Sequence, residues 1–207
     1  YLNALKFFYQ DILGKKLLVN IKYSKTPKRM PTVLTKEEVL QLIGVIENPK
    51  HRLMVKLMYS AGLRVSELLH LKVEHLDFAM LHGWVRCGKG SKDRVFIIAE
   101  NVKQELSEFI ENNALNDNDW IFQGRNGSYM SVMSVQKMVR MAARKAGIKK
   151  SVHPHTLRHS FATHIIQRGN DVISLQSLLG HKSPETTMVY VHMSNPKMLA
   201  VKSPLDC

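Results

Sequence analysis

Between residues 73 and 99 the apolar side chains of this chain change their spacing. On either side they recur every three or four residues, the repeat of helices with one buried face. Within the stretch, 73–79, 84–87 and 94–99 are short runs rich in Val, Ile, Phe and Trp, and the last two are separated by GKGSKD. Short β-prone runs joined by a glycine-containing loop make hairpins. The pattern therefore predicts a mainly α domain with one small three-stranded antiparallel β-sheet, its second hairpin turning at 88–93.

Upstream, Leu2, Leu5, Phe8, Ile12 and Leu13 predict a helix over 1–18, with Gly14 as its stop. Residues 22–33, KYSKTPKRMPTV, are basic, hold two prolines and lack an apolar repeat; they read as a linker lying near an anion. Thr35 followed by Glu38 is a capping-box start for a helix whose stripe is Val39, Leu42, Ile43 and Ile46. A helix over 51–61 runs to Gly62, and a short one follows over about 64–71. Beyond the sheet, helices are expected near 101–113, 131–146, 155–168, 171–179 and 184–192, with a tail to 207.

The 207 residues, 44% of them apolar, suffice for one good core. No apolar run is long enough to span a bilayer and no signal-peptide pattern opens the chain, so a soluble, intracellular protein is expected. Residue 1 is Tyr rather than Met, within a helical pattern, which suggests the later part of something longer. Lys plus Arg is 30 and Asp plus Glu is 17, a net charge of +13. Such a surplus suits a polyanion, most simply nucleic acid, although a basic solvated surface accounts for charge alone equally well. Cys87 and Cys207 are too few and too scattered for a disulfide framework or a thiolate zinc site, and fit a reducing compartment.

Four stretches hold candidate chemistry. In HPHTLRH, 153–159, His155, Arg158 and His159 share one face of a helix, opposite Leu157, Phe161 and Ile165. His155 and His159 have the spacing of two metal ligands, but the glutamate of the zinc motif is absent and Arg158 would repel an ion. Helix N–H groups, a guanidinium and an imidazole suit an anion better, while His159 by itself reads as a capping or packing residue. In GLRVSELLHL, 62–71, Arg64 and Glu67 make an ordinary i,i+3 ion pair, unless the helix break at Gly62 aims the Arg64 fork at a ligand. GKGSKDR, 88–94, is not a nucleotide-binding P-loop, because Gly90 stands where the Mg²⁺-binding hydroxyl belongs. It leaves Lys89 on a hairpin tip able to reach DNA. In LLGHKSPETTMVYVH, 178–192, Gly180 stops a helix, His181 lies in the joint, and Tyr190 sits about two turns into the next helix, where a half-buried packing tyrosine is the ordinary reading. No single stretch decides the function.

In order, however, Arg64, Glu67, Lys89, His155, Arg158, His181 and Tyr190, with the words around them, resemble the tyrosine recombinase family of Xer-type resolvases, phage integrases and integron integrases. AGLRVSELLHL is similar to its first arginine box, GKGSKDR to its hairpin lysine, HTLRH to its HxxR box, and LLGHKSPETTMVYVH to the box that ends in its tyrosine. The likeness runs from about residue 31 to the end.

The resemblance implies the DNA breaking-rejoining fold and a site-specific recombinase that works through a covalent 3′-phosphotyrosyl intermediate, with no cofactor, metal or ATP. Tyr190 would attack, His155 would take its proton, and Arg64 and Arg158 would clamp the phosphate. Lys89 would protonate the leaving 5′ oxygen and His181 would donate to the phosphate, with Glu67 and His159 supporting. Lys28, Arg29, Lys92 and Arg94 are the expected DNA contacts.

Residues 1–21 would be the last helix of a truncated core-binding domain, 22–33 a basic linker, 34–193 the catalytic domain, and 194–207 a segment packing on a neighbouring protomer. The implied partners are double-stranded DNA with inverted half-sites and three further copies in a homo-tetramer, in a prokaryotic or mobile-element, nucleoid-associated cytoplasmic setting. Integron integrases carry an extra helix before the HxxR box, and 113–131 is too short for it, so a Xer-like or phage-integrase-like role fits better. The rivals are a type IB topoisomerase-like relaxing enzyme, a DNA-binding relative without catalysis, and a metal hydrolase.

Overall fold

The computed structural model describes residues 2–15, 30–86, 93–124, 127–180 and 184–194. Helix α1, Leu2–Phe7, runs into a π-helical turn over Phe8–Ile12, and Gly14 follows with φ +60°. The helix is shorter than the 1–18 expected, and its apolar Leu5, Phe7, Phe8, Ile12 and Leu13 are all exposed. The stripe read from the sequence exists, but it lies on neither core cluster.

The domain proper starts with α2, Lys36–Gly44, capped as predicted: the Thr35 hydroxyl accepts from the Glu38 N–H and the Glu38 carboxylate from the Thr35 N–H, at 3.2 and 2.7 Å. Helix α3, Pro49–Ser60, begins earlier than its apolar pattern because Asn48 caps it and Pro49 suits a first turn. Helix α4, Val65–Leu69, follows the break at Gly62.

A 3₁₀ turn, Val73–His75, leads to strands β1, Leu76–Asp77, β2, His82–Val85, and β3, Arg94–Ile97, antiparallel in the order β1-β2-β3. The three-stranded antiparallel sheet is as expected, with different strand bounds. β1 is cut short because the Asp77 carboxylate accepts from the N–H groups of Ala79 and Met80 and turns the chain. β2 starts at His82 because Gly83 pairs with Phe96 and lies so close to it that a Cβ there would meet the ring at 2.5 Å.

Then come α5, Glu100–Asn112, α6, Val132–Lys145, α7, Pro154–Gln167, α8, Val172–Leu179, and α9, Pro184–Ser194. One large core joins Leu42, Leu53, Leu57, Leu68, Phe96, Leu106, Phe122, Val139 and Leu157. A smaller one holds Phe161, Ala162, Leu175, Leu179 and Tyr190. Helix α7 serves both, through Leu157 and Phe161, and this is why it is buried nearly all round rather than on one face. Its buried Ser160 is satisfied by Leu34 N–H and Thr156 C=O. No described helix is long and apolar enough to cross a membrane.

Candidate functional site

Glu67, in α4, is buried, and its carboxylate gathers three guanidiniums. Arg64 donates from its backbone N–H at 2.7 Å and from Nη1 at 2.6 Å. Arg94, on β3, lays a fork on the same carboxylate, Nη2 to Oε2 at 2.6 Å and Nε to Oε1 at 3.4 Å. Arg158, on α7, brings Nη1 to 3.7 Å. Burial alone would push the Glu67 carboxyl up, but Arg94, by hydrogen bond and charge, and then Arg64 outweigh it and hold the group below the ordinary carboxylate value. Three cations against one anion leave a surplus of two positive charges, which suits an anionic ligand.

The C-terminal end of α8 completes the frame. Arg94 Nη1 donates to the Leu178 carbonyl, Arg158 Nη2 to Leu179 at 2.6 Å, and Arg64 Nη2 to Gly180 at 3.5 Å. The last carbonyls of a helix have no partner within it and carry the negative end of its dipole, so successive residues there suit three cations. Arg158 also donates to the Gly62 carbonyl at 2.6 Å. Gly62 has φ +60°, and a Cβ on it would meet Phe161 at 2.5 Å and Leu179 at 3.1 Å. Glycine therefore lets the α3–α4 joint press onto α7 and the end of α8. Burial first, then the Arg64 charge, lower Arg158 to about 10, which leaves it a cation at neutral pH.

Tyr190, on α9, is 2% exposed, and its hydroxyl lies 2.8 Å from His159 Nδ1. Burial raises the phenol, and the charges of Arg158 and Arg64 oppose that rise. Burial, and then His155, His153 and Arg158, lower His159 to about 4. The ring is therefore neutral at pH 7, and its tautomer sets which way the hydrogen bond to the phenol runs. His155 is exposed, its ring centroid 6.3 Å from that of His159, and is lowered by burial and by His153 and Arg158. His153 starts α7, sharing reciprocal hydrogen bonds with Thr156.

The structure thus brings Arg64, Glu67, Arg158, His159 and Tyr190 together, with His155 beside them. Lys89, His181, Lys28, Arg29 and Lys92 lie outside the described residues. Arg94 is a correction: expected to face DNA, it is buried, with its guanidinium committed to Glu67 and Leu178. The alternation of β3 carried the signal, since Arg94 must share the face of Phe96, the buried one. The contact between His159 and the tyrosine, and the carbonyl acceptors of Arg158, had no sequence signal, because they join helices far apart in the chain.

The model of the Phage integrase family matches residues 32–196. Tyrosine recombinase XerA of Pyrococcus furiosus is 41% identical over 196 residues, covering 92% of this chain and 68% of that protein. Among solved structures, XerA recombinase superposes with a TM-score of 0.75 at 34% identity, over 96% of this chain and 71% of the other. The XerH site-specific recombinase bound to palindromic difH substrate, a post-cleavage complex, superposes with a TM-score of 0.79 at 26% identity, over all of this chain and 65% of the other. The chain belongs to the phage integrase family of tyrosine recombinases.

Proposed function

We propose that this recombinase domain cuts and rejoins one DNA strand at a time by moving a phosphodiester onto Tyr190 and back. The observation that carries the reading is the Tyr190 hydroxyl, held 2.8 Å from Nδ1 of His159, the residue that follows Arg158 on α7. In the forward step the phenol oxygen forms a bond to phosphorus and the bond to the 5′ oxygen breaks. The phosphate stays on the 3′ end as a phosphotyrosine, and the bond's energy is kept for rejoining.

The tyrosine needs a proton acceptor, because a phenol with a pKa of about 10 is a weak nucleophile at neutral pH. His159 holds the hydroxyl in place. Its low basicity makes it an orienting acceptor, and His155 takes the proton once the phosphate is seated. Arg64 and Arg158 stabilise charge on the non-bridging oxygens, each worth on the order of 3–4 kcal/mol of barrier. Lys89 gives a proton to the leaving 5′ oxygen, and His181 donates to the phosphate. Lys28, Arg29 and Lys92 contact the DNA backbone.

Palindromic DNA on the XerH relative supports inverted half-sites as the substrate here. Four copies on two such sites would complete the exchange, with residues 194–207 packing on a neighbour. The exposed Leu5, Phe7, Phe8, Ile12 and Leu13 support residues 1–21 as the end of a core-binding domain, with 22–33 as linker and 34–193 as the catalytic domain.

The test is incubation with a nicked duplex, metal chelated, followed by a denaturing gel. A covalent protein–DNA band is expected, and Tyr190→Phe should remove it while leaving DNA binding intact. A band that survives Tyr190→Phe, or activity that disappears with chelation, would overturn the reading.

A further inference from the structure

We propose that Arg94 is a positioning residue that neutralises Glu67 from behind and so releases Arg64 and Arg158 to the substrate phosphate; this rests on the phosphotyrosine reading above. The three arginines are not equivalent. Each reaches Glu67 and each takes one carbonyl at the end of α8, but they differ in what a phosphate could draw away.

Arg64 is the half-exposed one, its side chain 36% open, and its bond to the Gly180 carbonyl is long at 3.5 Å. Arg158 is as buried as Arg94, its side chain 4% exposed, and is held by the Gly62 and Leu179 carbonyls, but it stands 3.7 Å from Glu67, beyond hydrogen-bond range, so what sets Arg94 apart is its bond to the carboxylate. Arg94 is fully engaged: its side chain is 6% exposed and its fork rests on both carboxylate oxygens. Its stem is covered by the turn after α8, where a Cβ on Gly180 would meet Arg94 Cδ at 2.7 Å.

A buried carboxylate must be balanced by something. With Arg94 in place, much of that balance comes from a buried cation that rests on both carboxylate oxygens, beside the single guanidinium bond from Arg64 at 2.6 Å. Without Arg94 the balance falls to Arg64 and Arg158, the two groups the phosphate needs, and the carboxylate competes with the substrate for them. Arg94 also joins three parts of the site. It lies on β3, it holds the glutamate of α4, and it anchors the end of α8, the helix that precedes the one carrying Tyr190.

The test measures single-turnover cleavage of the nicked duplex, together with DNA affinity and melting temperature, for wild type, Arg94→Lys, Arg94→Gln, and Arg94→Gln combined with Glu67→Gln. A misplaced clamp typically costs about 10²-fold in rate, and Arg94→Gln should lose that much with DNA affinity within about threefold. Arg94→Lys, which keeps the charge but not the fork, should fall between. The distinguishing result is the double variant: with the competing carboxylate neutral, it should cleave at least about tenfold faster than Arg94→Gln alone.

A double variant as slow as or slower than Arg94→Gln would overturn the proposal and leave Arg94 a structural residue. Failure of the wild type to form the covalent band would instead count against the phosphotyrosine reading. In that event Arg94 is judged by carbon-13 titration of the Glu67 carboxyl. The pairing predicts a clear rise in its titration midpoint in Arg94→Lys and Arg94→Gln, and unchanged midpoints would refute it.

Discussion

Replacing Gly62 by Ala adds one methyl group at the point where the α3–α4 joint, α7 and the end of α8 meet. Two costs can be worked from the geometry. Gly62 sits at φ +60°, where an L-residue pays about 1–2 kcal/mol. The new Cβ would lie 2.5 and 2.7 Å from two carbons of the Phe161 ring and 3.1 Å from Leu179. The ring is buried in the smaller core, and overpacking of this kind costs about 1–3 kcal/mol. The sum, about 2–5 kcal/mol, is a fall of order 10 °C in melting temperature for a domain this size.

The functional loss should exceed the loss of stability. The Gly62 carbonyl holds Arg158 at 2.6 Å, and any shift that relieves the clash moves that acceptor. At a temperature where the variant is fully folded by circular dichroism, its single-turnover cleavage should be down by about 10²-fold, the cost of a misplaced phosphate clamp. An alanine variant that melts within 2 °C of wild type, or that cleaves normally while folded, would refute the reasoning.

Arg158→Lys should keep the charge yet lose about 10²–10³-fold in cleavage, because a compact ammonium does not reproduce the planar fork whose two nitrogens reach the Gly62 and Leu179 carbonyls; kinetics and melting on the same samples check this. His159 is lowered from 6.5 to about 4, so the unfolded chain protonates first and the folded state loses stability as pH falls across that window. The melting temperature should drop from pH 6.5 toward pH 4 and less steeply in His159→Phe, and parallel curves would contradict it. Glu67 acts in the same direction at lower pH: its stabilisation is complete above 4.5 and is lost as pH falls through the depressed folded value. Lys89→Ala should slow cleavage much less when the leaving 5′ oxygen is replaced by sulfur, which departs without a proton; equal slowing on both substrates would remove Lys89 from the role of acid.

How much of this was readable beforehand depends on whether the determining interaction is local. The Thr35–Glu38 cap and the Gly14 and Gly62 breaks are settled by neighbours in sequence, and they were legible. The sheet was legible as a pattern, but its edges were not, because they are set by Gly83 lying against Phe96 and by the Asp77 turn, neither of which is a β-propensity. The residue set of the site could be named because its spacing matches a family. Its wiring could not: Arg158 to Leu179, Arg94 to Glu67 and His159 to Tyr190 join segments that only tertiary packing brings together. Arg94 is the instructive miss. Reading it as one more surface cation in a basic chain ignored the strand alternation that turns it inward with Phe96.

The most direct measurement is to digest the covalent protein–DNA product with protease and nuclease and to locate the nucleotide-bearing residue by mass spectrometry. A 3′-phosphate linked to Tyr190, with a free 5′-hydroxyl on the departing strand, is the predicted result. An adduct on any other residue, or a 5′-linked one, would contradict the assignment of Tyr190, held at His159, as the nucleophile.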